Sequence, residues 1–189
     1  MNVHTAAFFI DGSYLDHVLA DVTEGKRINY QSLISTIVDK AGGDRDIIRV
    51  YYYHCLPYQD KPPTKEQSER FGKMQRFFRA LQRTPRFAVR EGRLAFRGLD
   101  DKGKPVFEQK RVDLLLGIDL VLLSTKRAID EAFIIAGDSD FIPAIRTAKS
   151  EGVITYLIHG ANTNDDLLDE VDERIEITPE LVSGAILLI

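Results

Sequence analysis

The sequence predicts an α/β fold in which one parallel sheet of about five strands is covered by helices. Two observations lead to this fold class. Apolar and β-branched runs of strand length are nearly continuous rather than alternating, which is typical of strands buried on both faces. Stretches with helical apolar spacing separate these runs, and strands that alternate with helices form parallel sheets. The predicted strands are residues 5–10, 47–55, 133–136, 153–158 and, more weakly, 174–178.

The segments between the strands predict six helices and one excursion. The predicted helices are residues 13–21, 30–40, 65–83, 111–127, 141–150 and 163–172. Residues 87–110 alternate in places and contain turns with Gly and Pro, so we interpret them as a small β-hairpin excursion. A chain of 189 residues buries about 70% of its unfolded surface on folding. We therefore expect a single domain over residues 1–189.

The composition is typical of a globular protein in a reducing compartment. Hydrophobic residues make up 44% of the chain and charged residues 29%, without repeats. The single cysteine, Cys55, excludes an internal disulfide and a cysteine-based zinc site. Residues 1–12 lack the basic flank and apolar run of a signal peptide, and no segment approaches the ~18 apolar residues of a membrane span. We therefore expect a cytoplasmic protein without a membrane partner.

The net charge of −4 conceals a strong asymmetry along the chain. Residues 61–111 contain 15 Lys and Arg against 6 Asp and Glu, whereas the remainder contains 10 against 23. Within this basic region, helix 65–83 has an apolar face and a basic face. A solvated outer face accounts for such charges without a ligand, but four more arginines follow and favour a phosphate-binding surface. These cations are Lys73, Arg76, Arg79 and Arg83, followed by Arg86, Arg90, Arg93 and Arg97.

Two acidic turns follow predicted strands. Asp11 ends the apolar run FFID, and Asp138 and Asp140 follow FIIAG. Ligands of open α/β sheets bind at the carboxyl ends of the strands, so both turns are expected at one edge. Each turn also has a simple alternative explanation, because Asp11, Asp138 or a neighbouring serine can cap the next helix. Two aspartates directed at one crevice would raise each other's pKa unless a cation compensates.

A third acidic position lies in the apolar segment KRVDLLLGIDLVLLS. Asp113 and Asp119 interrupt this predicted helix, and an unpaired carboxylate in apolar surroundings costs several kcal/mol. Asp113 lies near the helix start, where the helix dipole also accounts for it. The two residues lie about 120° apart around the helix, so they do not share one ion. We expect Asp113 to be a metal ligand, and Asp119 to support it or bind a second ion.

This set of carboxylates favours a hard cation and phosphoryl chemistry. The candidate ligands are carboxylates and include no cysteine and no pair of histidines, so they suit Mg²⁺ or Mn²⁺ better than zinc. Such ions bind phosphate oxygens and activate water in in-line displacement. A phosphatase with an aspartate nucleophile is disfavoured, because Phe9 occupies the position of that nucleophile.

The motifs FFIDGSYL, KRVDLLLGIDLVLLS and FIIAGDSDFIPAIRTAKSEG, in this order and spacing, resemble the NYN domain of the PIN-like nuclease superfamily. The resemblance runs from the first strand to about residue 172, with residues 56–109 matched poorly. It implies a helix–sheet–helix sandwich and a metal-dependent ribonuclease that uses metal-activated water. It also implies an acidic site that binds one or two Mg²⁺ or Mn²⁺ ions through Asp11, Asp113, Asp138 and Asp140. Asp119 matches the second aspartate of the helix motif and is a further implied metal ligand.

The resemblance has local departures. Family members often carry Asn where this chain has Tyr14, so Ser13 is the expected substitute for that amide. The lysine of the helix motif is present as Lys110, and Arg111 stands where glycine is common. The expected partner is RNA, single-stranded or structured, and we expect basic side chains of the protein to contact its backbone. The candidates are Lys110, Arg76, Arg79, Arg83, Arg90 and Arg93.

Two further expectations concern partners. The Tyr14 departure keeps open a non-catalytic alternative, in which the chain binds RNA or regulates another protein. The apolar tail at 181–189 is expected to pack on the domain or to form a homodimer contact.

Overall fold

The computed structural model describes residues 3–103 and 105–187. Its strands are β1 (His4–Asp11), β2 (Arg45–His54), β3 (Phe87–Glu91), β4 (Arg93–Leu99), β5 (Pro105–Lys110), β6 (Glu131–Ile135), β7 (Ile154–His159) and β8 (Glu173–Glu176). Its α-helices are α1 (Gly12–Thr23), α2 (Tyr30–Lys40), α3 (Lys65–Arg83), α4 (Val112–Thr125), α5 (Ile142–Ser150), α6 (Asp165–Glu170) and α7 (Pro179–Ser183). A short 3₁₀-helix, Ser139–Phe141, precedes α5.

Six parallel strands form the main sheet in the order β3-β2-β1-β6-β7-β8. The chain adds β2 and β3 on one side of β1 and then adds β6, β7 and β8 on the other side of β1. The strand order therefore reverses between the two central strands, where Ile10 lies opposite Ile135. In open α/β sheets this reversal leaves a crevice at the carboxyl ends of the strands. The predicted α/β class is confirmed.

The region predicted as a hairpin excursion divides into two parts. Residues 87–91 form the sixth strand of the main sheet, β3, which pairs in parallel with β2 from Val50↔Phe87 to His54↔Glu91. Only β4 and β5 form the antiparallel hairpin. Alternation in the sequence is the same for an edge strand and for a hairpin arm, so it does not distinguish them. The difference arises because α3 crosses back over the sheet and delivers β3 beside β2.

Helices cover both faces of the sheet, because successive side chains of β1 enter two different hydrophobic cores. Ala6, Phe8 and Ile10 join the core beneath α1, α2, α3 and α7. Ala7 and Phe9 join the core beneath α4, α5 and α6. All five side chains are fully buried. The central strand is thus apolar throughout because both of its faces are covered.

The six predicted helices are present, and α7 is an additional one within the apolar tail. Val182 and Ala185 of this tail are buried in the core and Ile186 pairs with Ile28, so the tail packs on the domain, while the Leu187 side chain is 45% exposed. Residues 188 and 189, the end of the predicted dimer contact, lie outside the described residues. A homodimer stays a prediction.

Helix α4 is apolar on several sides. Leu116 and Leu120 are buried, while Leu114, Ile118 and Leu122 are exposed. Within the described ranges, neither this helix nor another combines the length and hydropathy needed to cross a membrane.

At the amino-terminal edge of the sheet, a buried carboxylate is paired with an arginine and a histidine. Glu131, at the start of β6, is 2% exposed. Its Oε2 lies 2.9 Å from Arg45 Nε, and its Oε1 lies 2.8 Å from His4 Nδ1. Arg45 also donates to the Ala41 carbonyl at 3.0 Å. This edge therefore holds its buried acid in a compensated network.

Candidate active site

The two predicted acidic turns meet at the carboxyl edge of the sheet. Asp11 is the last residue of β1, and Asp138 follows the end of the adjacent strand, β6, by three residues. Because these strands are parallel neighbours at the point where the strand order reverses, both turns open on one crevice. The predicted juxtaposition of the turns is therefore present in the structure.

Both aspartates also cap the helices that follow them. Asp11 Oδ1 accepts hydrogen bonds from the backbone N–H groups of Ser13, at 2.9 Å, and Tyr14, at 3.2 Å. Asp138 Oδ1 accepts from the Asp140 N–H at 2.9 Å. The capping role expected as an alternative is thus real, but it uses one oxygen of each carboxylate. The Oδ2 atoms make no hydrogen bond within the described chain, so they remain available to a ligand.

Asp113 and Asp140 complete a cluster of four carboxylates. Neither side chain forms a hydrogen bond or ion pair with another described residue. Burial raises the pKa of Asp113, and the negative charges of Asp138 and Asp140 raise it further. The first turn of α4 packs beside the turn after β6, so the charges of the two segments repel each other.

Asp11 belongs to the same electrostatic cluster. Burial raises the pKa of its carboxyl most, while the capping amides of Tyr14 and Ser13 lower it. The negative charge of Asp113 raises this pKa further, and His54 lowers it, leaving the value above that of an ordinary aspartate. The four carboxylates therefore share one region of negative potential, which a cation would stabilise.

The donor set fits an open site for a hard cation. The available donors are carboxylate oxygens, which suit Mg²⁺ and Mn²⁺. Among the residues that the structure describes, no group of three or more His, Cys, Asp or Glu side chains is arranged closely enough to hold a metal ion by itself. Mg²⁺ commonly binds one or two carboxylates together with water and substrate phosphates rather than a complete protein cage. The cluster therefore fits an ion whose coordination is completed by water and substrate.

Asp119 lies apart from this cluster and has its own partners. Arg90 of β3 donates to both of its oxygens, from Nε at 3.0 Å and from Nη2 at 3.2 Å. The Tyr53 hydroxyl donates to Asp119 Oδ2 at 3.0 Å. These contacts account for a carboxylate in the middle of an apolar helix without a metal ion. They join two residues that the sequence analysis had assigned to different ligands, Asp119 to metal and Arg90 to RNA.

The remaining predicted cations divide by position. Arg93 and Lys110 lie directly opposite each other at the base of the hairpin, and Lys110 is three residues before Asp113. Arg83 lies at the far end of α3, just before the turn into β3. Because β3 starts level with Val50, four residues before the end of β2, Arg83 is displaced from the acidic edge. Arg76 and Arg79 are exposed on α3, and their contact with RNA stays a prediction.

Tyr14 connects the acidic turns to a third loop. An added Cβ at Gly137 would lie 2.2 Å from Tyr14 Cε2, so the ring covers the turn between β6 and Asp138. The Gly160 N–H donates to the Tyr14 hydroxyl at 2.9 Å, and Thr163 Oγ1 lies 2.8 Å from it. The Tyr14 side chain therefore positions the loop after β7, and only the backbone N–H of this residue contacts a carboxylate oxygen. The neighbouring Ser13 is exposed, and its hydroxyl forms no hydrogen bond within the described chain.

Sequence reasoning missed a histidine beside the cluster. His54 ends β2, next to the strand that carries Asp11, and its Nε2 lies 3.5 Å from Asp16 Oδ2. Burial is the largest influence on the His54 pKa and lowers it. The contacts with Asp16 and the Cys55 backbone, together with the charge of Asp11, raise this pKa above its ordinary value. The sequence signal that could have identified His54 was its place as a polar residue at the carboxyl end of a predicted strand.

Backbone strain is present just before Asp113. Arg111, which precedes α4, has a φ of 78°, a left-handed conformation that favours glycine. This geometry explains why glycine suits the position in the motif that the chain resembles.

Comparisons with known proteins identify the family and agree with the fold. The family model of the NYN domain matches residues 5–178. The structure is similar to the crystal structure of a protein of unknown function from Vibrio parahaemolyticus, with a TM-score of 0.63 and 15% sequence identity. The similarity covers 98% of this chain and 97% of that chain, and at this identity it shows the fold alone. No curated protein matches the sequence.

Proposed function

The chain belongs to the NYN domain family of the PIN-like superfamily, and on this premise we propose that it is a metal-dependent ribonuclease. One observation carries the proposal. Four carboxylates from three segments share the crevice where the strand order reverses, and within the described residues none of them forms an ion pair. Such a cluster costs stability unless it binds a cation, so its presence favours a catalytic role over a purely structural one.

Asp11, Asp113, Asp138 and Asp140 would hold the Mg²⁺ or Mn²⁺ ion. When bound, such an ion polarises a phosphate oxygen and makes water more acidic. The caps fix Asp11 and Asp138, while Asp113 is carried by the first turn of α4. These side chains serve as ligands rather than nucleophiles.

The substrate of this reaction is an RNA phosphodiester. Arg93 and Lys110 supply positive charge to its phosphates beside the acidic site. The oxygen of water joins phosphorus, the bond to the 3′ oxygen breaks, and that oxygen takes up a proton. The products are a 5′-phosphate and a 3′-hydroxyl.

The direct test follows end-labelled single-stranded RNA in Mg²⁺ or Mn²⁺, with EDTA as the metal-free arm. Asp138→Asn is the informative variant, because asparagine keeps the cap but loses the charge. Asp21→Asn, on the exposed side of α1, is the matched control. We expect cleavage by wild type and Asp21→Asn, and none by Asp138→Asn or in EDTA. Intact RNA in every arm, with RNA binding unaffected by EDTA, would overturn the proposal in favour of an RNA-binding regulatory protein.

A second test measures the metal without measuring activity. Ligand binding to the folded state raises the melting temperature. Addition of MgCl₂ or MnCl₂ should therefore raise the melting temperature of wild type and Asp21→Asn, but not of Asp113→Asn. An equal rise in all three proteins would contradict the assigned ligands.

A further inference from the structure

Three aromatic side chains line an open cleft between the hairpin and α3. Tyr58 lies 4.8 Å from Phe107 and 6.3 Å from Phe96, measured between ring centroids, and the two phenylalanines are 5.8 Å apart. The cleft has a volume of about 640 Å³, and Arg70 and Leu99 also line it. It is therefore large enough for a planar ring of the size of a nucleobase.

The aromatic side chains of this cleft are not fully covered by the protein itself. Phe96 is 51% exposed and Leu99 is 64% exposed. The hairpin that carries them forms a separate two-stranded sheet rather than part of the main sheet. Exposed apolar groups gathered in a concave surface with a polar rim are typical of binding sites.

The charge around the cleft indicates an anionic occupant. Arg70 lines the cleft and Arg93 begins β4; neither forms an ion pair within the described chain. They belong to the region with 15 basic against 6 acidic residues. The acidic residue in the cleft, Asp60, accepts a hydrogen bond from Gln67 Nε2 at 2.8 Å. Aromatic rings beside unpaired arginines match a base attached to a phosphate chain.

The surface is continuous from this cleft towards the acidic site. A second cleft of about 480 Å³ shares Tyr58 and Leu94 with the first and extends to Gly92 and Arg93. An added Cβ at Gly92 would lie 2.6 Å from Val112 Cγ2 and 2.8 Å from the Lys110 carbonyl oxygen. Gly92 therefore packs against the residue immediately before Asp113. A strand of RNA can follow this surface from the aromatic rings to the carboxylates.

We propose that this aromatic cleft is a subsite for an unpaired base of single-stranded RNA, whose backbone passes Arg93 to reach the acidic site. The proposal rests on the ribonuclease function and names its substrate class. Stacking requires a base with a free face, which a base within a duplex does not offer. The subsite therefore favours single strands over duplexes.

The test measures RNA binding by fluorescence anisotropy in EDTA, so that cleavage plays no part. Phe96→Ala should weaken binding of a single-stranded oligonucleotide about 5- to 150-fold, the range for loss of one stacked base. Its affinity for a duplex of equal length should stay within about twofold, since phosphate contacts remain. Leu122→Ala, a similarly exposed apolar side chain on α4, is the control and should leave both affinities unchanged.

A second variant reports stacking directly. The chain contains no tryptophan, so Phe96→Trp introduces a single indole that keeps the stacking surface. We expect wild-type affinity and quenching of the indole fluorescence by single-stranded RNA, but not by the duplex. Leu122→Trp should show no quenching with either RNA.

Two results would overturn the subsite. One is unchanged single-strand affinity of Phe96→Ala without quenching in Phe96→Trp, which would assign the cleft to another occupant. The other is absence of single-strand binding by wild type. Failure of the ribonuclease function itself is distinct, because it appears as binding without cleavage in Mg²⁺ or Mn²⁺.

Discussion

The two edges of the parallel sheet treat their carboxylates in opposite ways. At the amino-terminal edge, Glu131 is held by Arg45 and His4. At the carboxyl edge, Asp11 and Asp113 face other carboxylates, and repulsion contributes to the raised pKa of each. The same sheet can therefore supply a cationic partner where an acid is structural. The uncompensated edge is the one that a divalent cation and a phosphate would complete.

The largest expected effect comes from removing the paired carboxylate, Glu131, at the amino-terminal edge of the sheet. Glu131→Ala should lower the free energy of unfolding by about 3–5 kcal/mol, since it leaves Arg45, whose side chain is only 10% exposed, without its carboxylate partner. Urea denaturation measures the change. The matched control is Asp46→Ala, which removes an exposed ion pair with Arg86 and should cost less than about 1 kcal/mol. Equal losses would show that burial does not distinguish the two pairs.

The next effect concerns the uncompensated edge. Asp113→Asn should lower the rate of RNA cleavage more than about 100-fold, exceeding the usual effect of residues that only support a metal ligand. Its free energy of unfolding should not fall, because no hydrogen bond or ion pair within the described chain is lost. Cleavage assays at saturating RNA, paired with urea denaturation, separate the two quantities. Wild-type activity in this variant would remove Asp113 from the site.

A smaller effect tests the second acid of the same helix. Asp119→Ala should lower the free energy of unfolding by about 1–2 kcal/mol, less than for a fully buried pair because Arg90 is 42% exposed. Cleavage should be retained at temperatures where the variant is folded. Loss of cleavage with unchanged stability would instead return Asp119 to the metal site.

The smallest effect is a pH-dependent gain in stability. Because the folded-state pKa of Asp113 is raised above its usual 3.8, the folded chain retains this proton longer than the unfolded chain. Its contribution to stability is present below pH 3.8 and is lost as pH rises through the folded value. Asp113→Asn should therefore melt above wild type at pH 7, and close to wild type below pH 4. A constant difference across this range would contradict the linkage.

Local patterns allowed several parts of the site to be predicted. Asp11 and Asp138 stand directly after apolar strands, so their position at the carboxyl edge follows from the parallel fold. Asp113 was singled out because it interrupts an otherwise apolar helix, where an unpaired carboxylate is costly. The strand β3 was interpreted as part of a hairpin, because residues 87–110 alternate without revealing which strand lies beside which.

Contacts between side chains that are distant in sequence could not be predicted from local patterns. The partner of Asp119 is 29 residues away, at Arg90, and no spacing rule connects them. His54 had no local signal beyond its place at a strand end. The aromatic cleft joins Tyr58 to the hairpin through Phe96 and Phe107, and the sequence distributes these residues across three separate segments.

The sequence by itself determined the α/β class and the acidic turns after the strands, since burial on both faces and turn chemistry act over a few residues. Only the tertiary structure decided which charges are compensated. Glu131 and Asp119 gain cations from distant strands, whereas the four carboxylates at the carboxyl edge gain none within the described residues. The physical reason is that electrostatic free energy depends on distances in space and on burial, and the fold sets both.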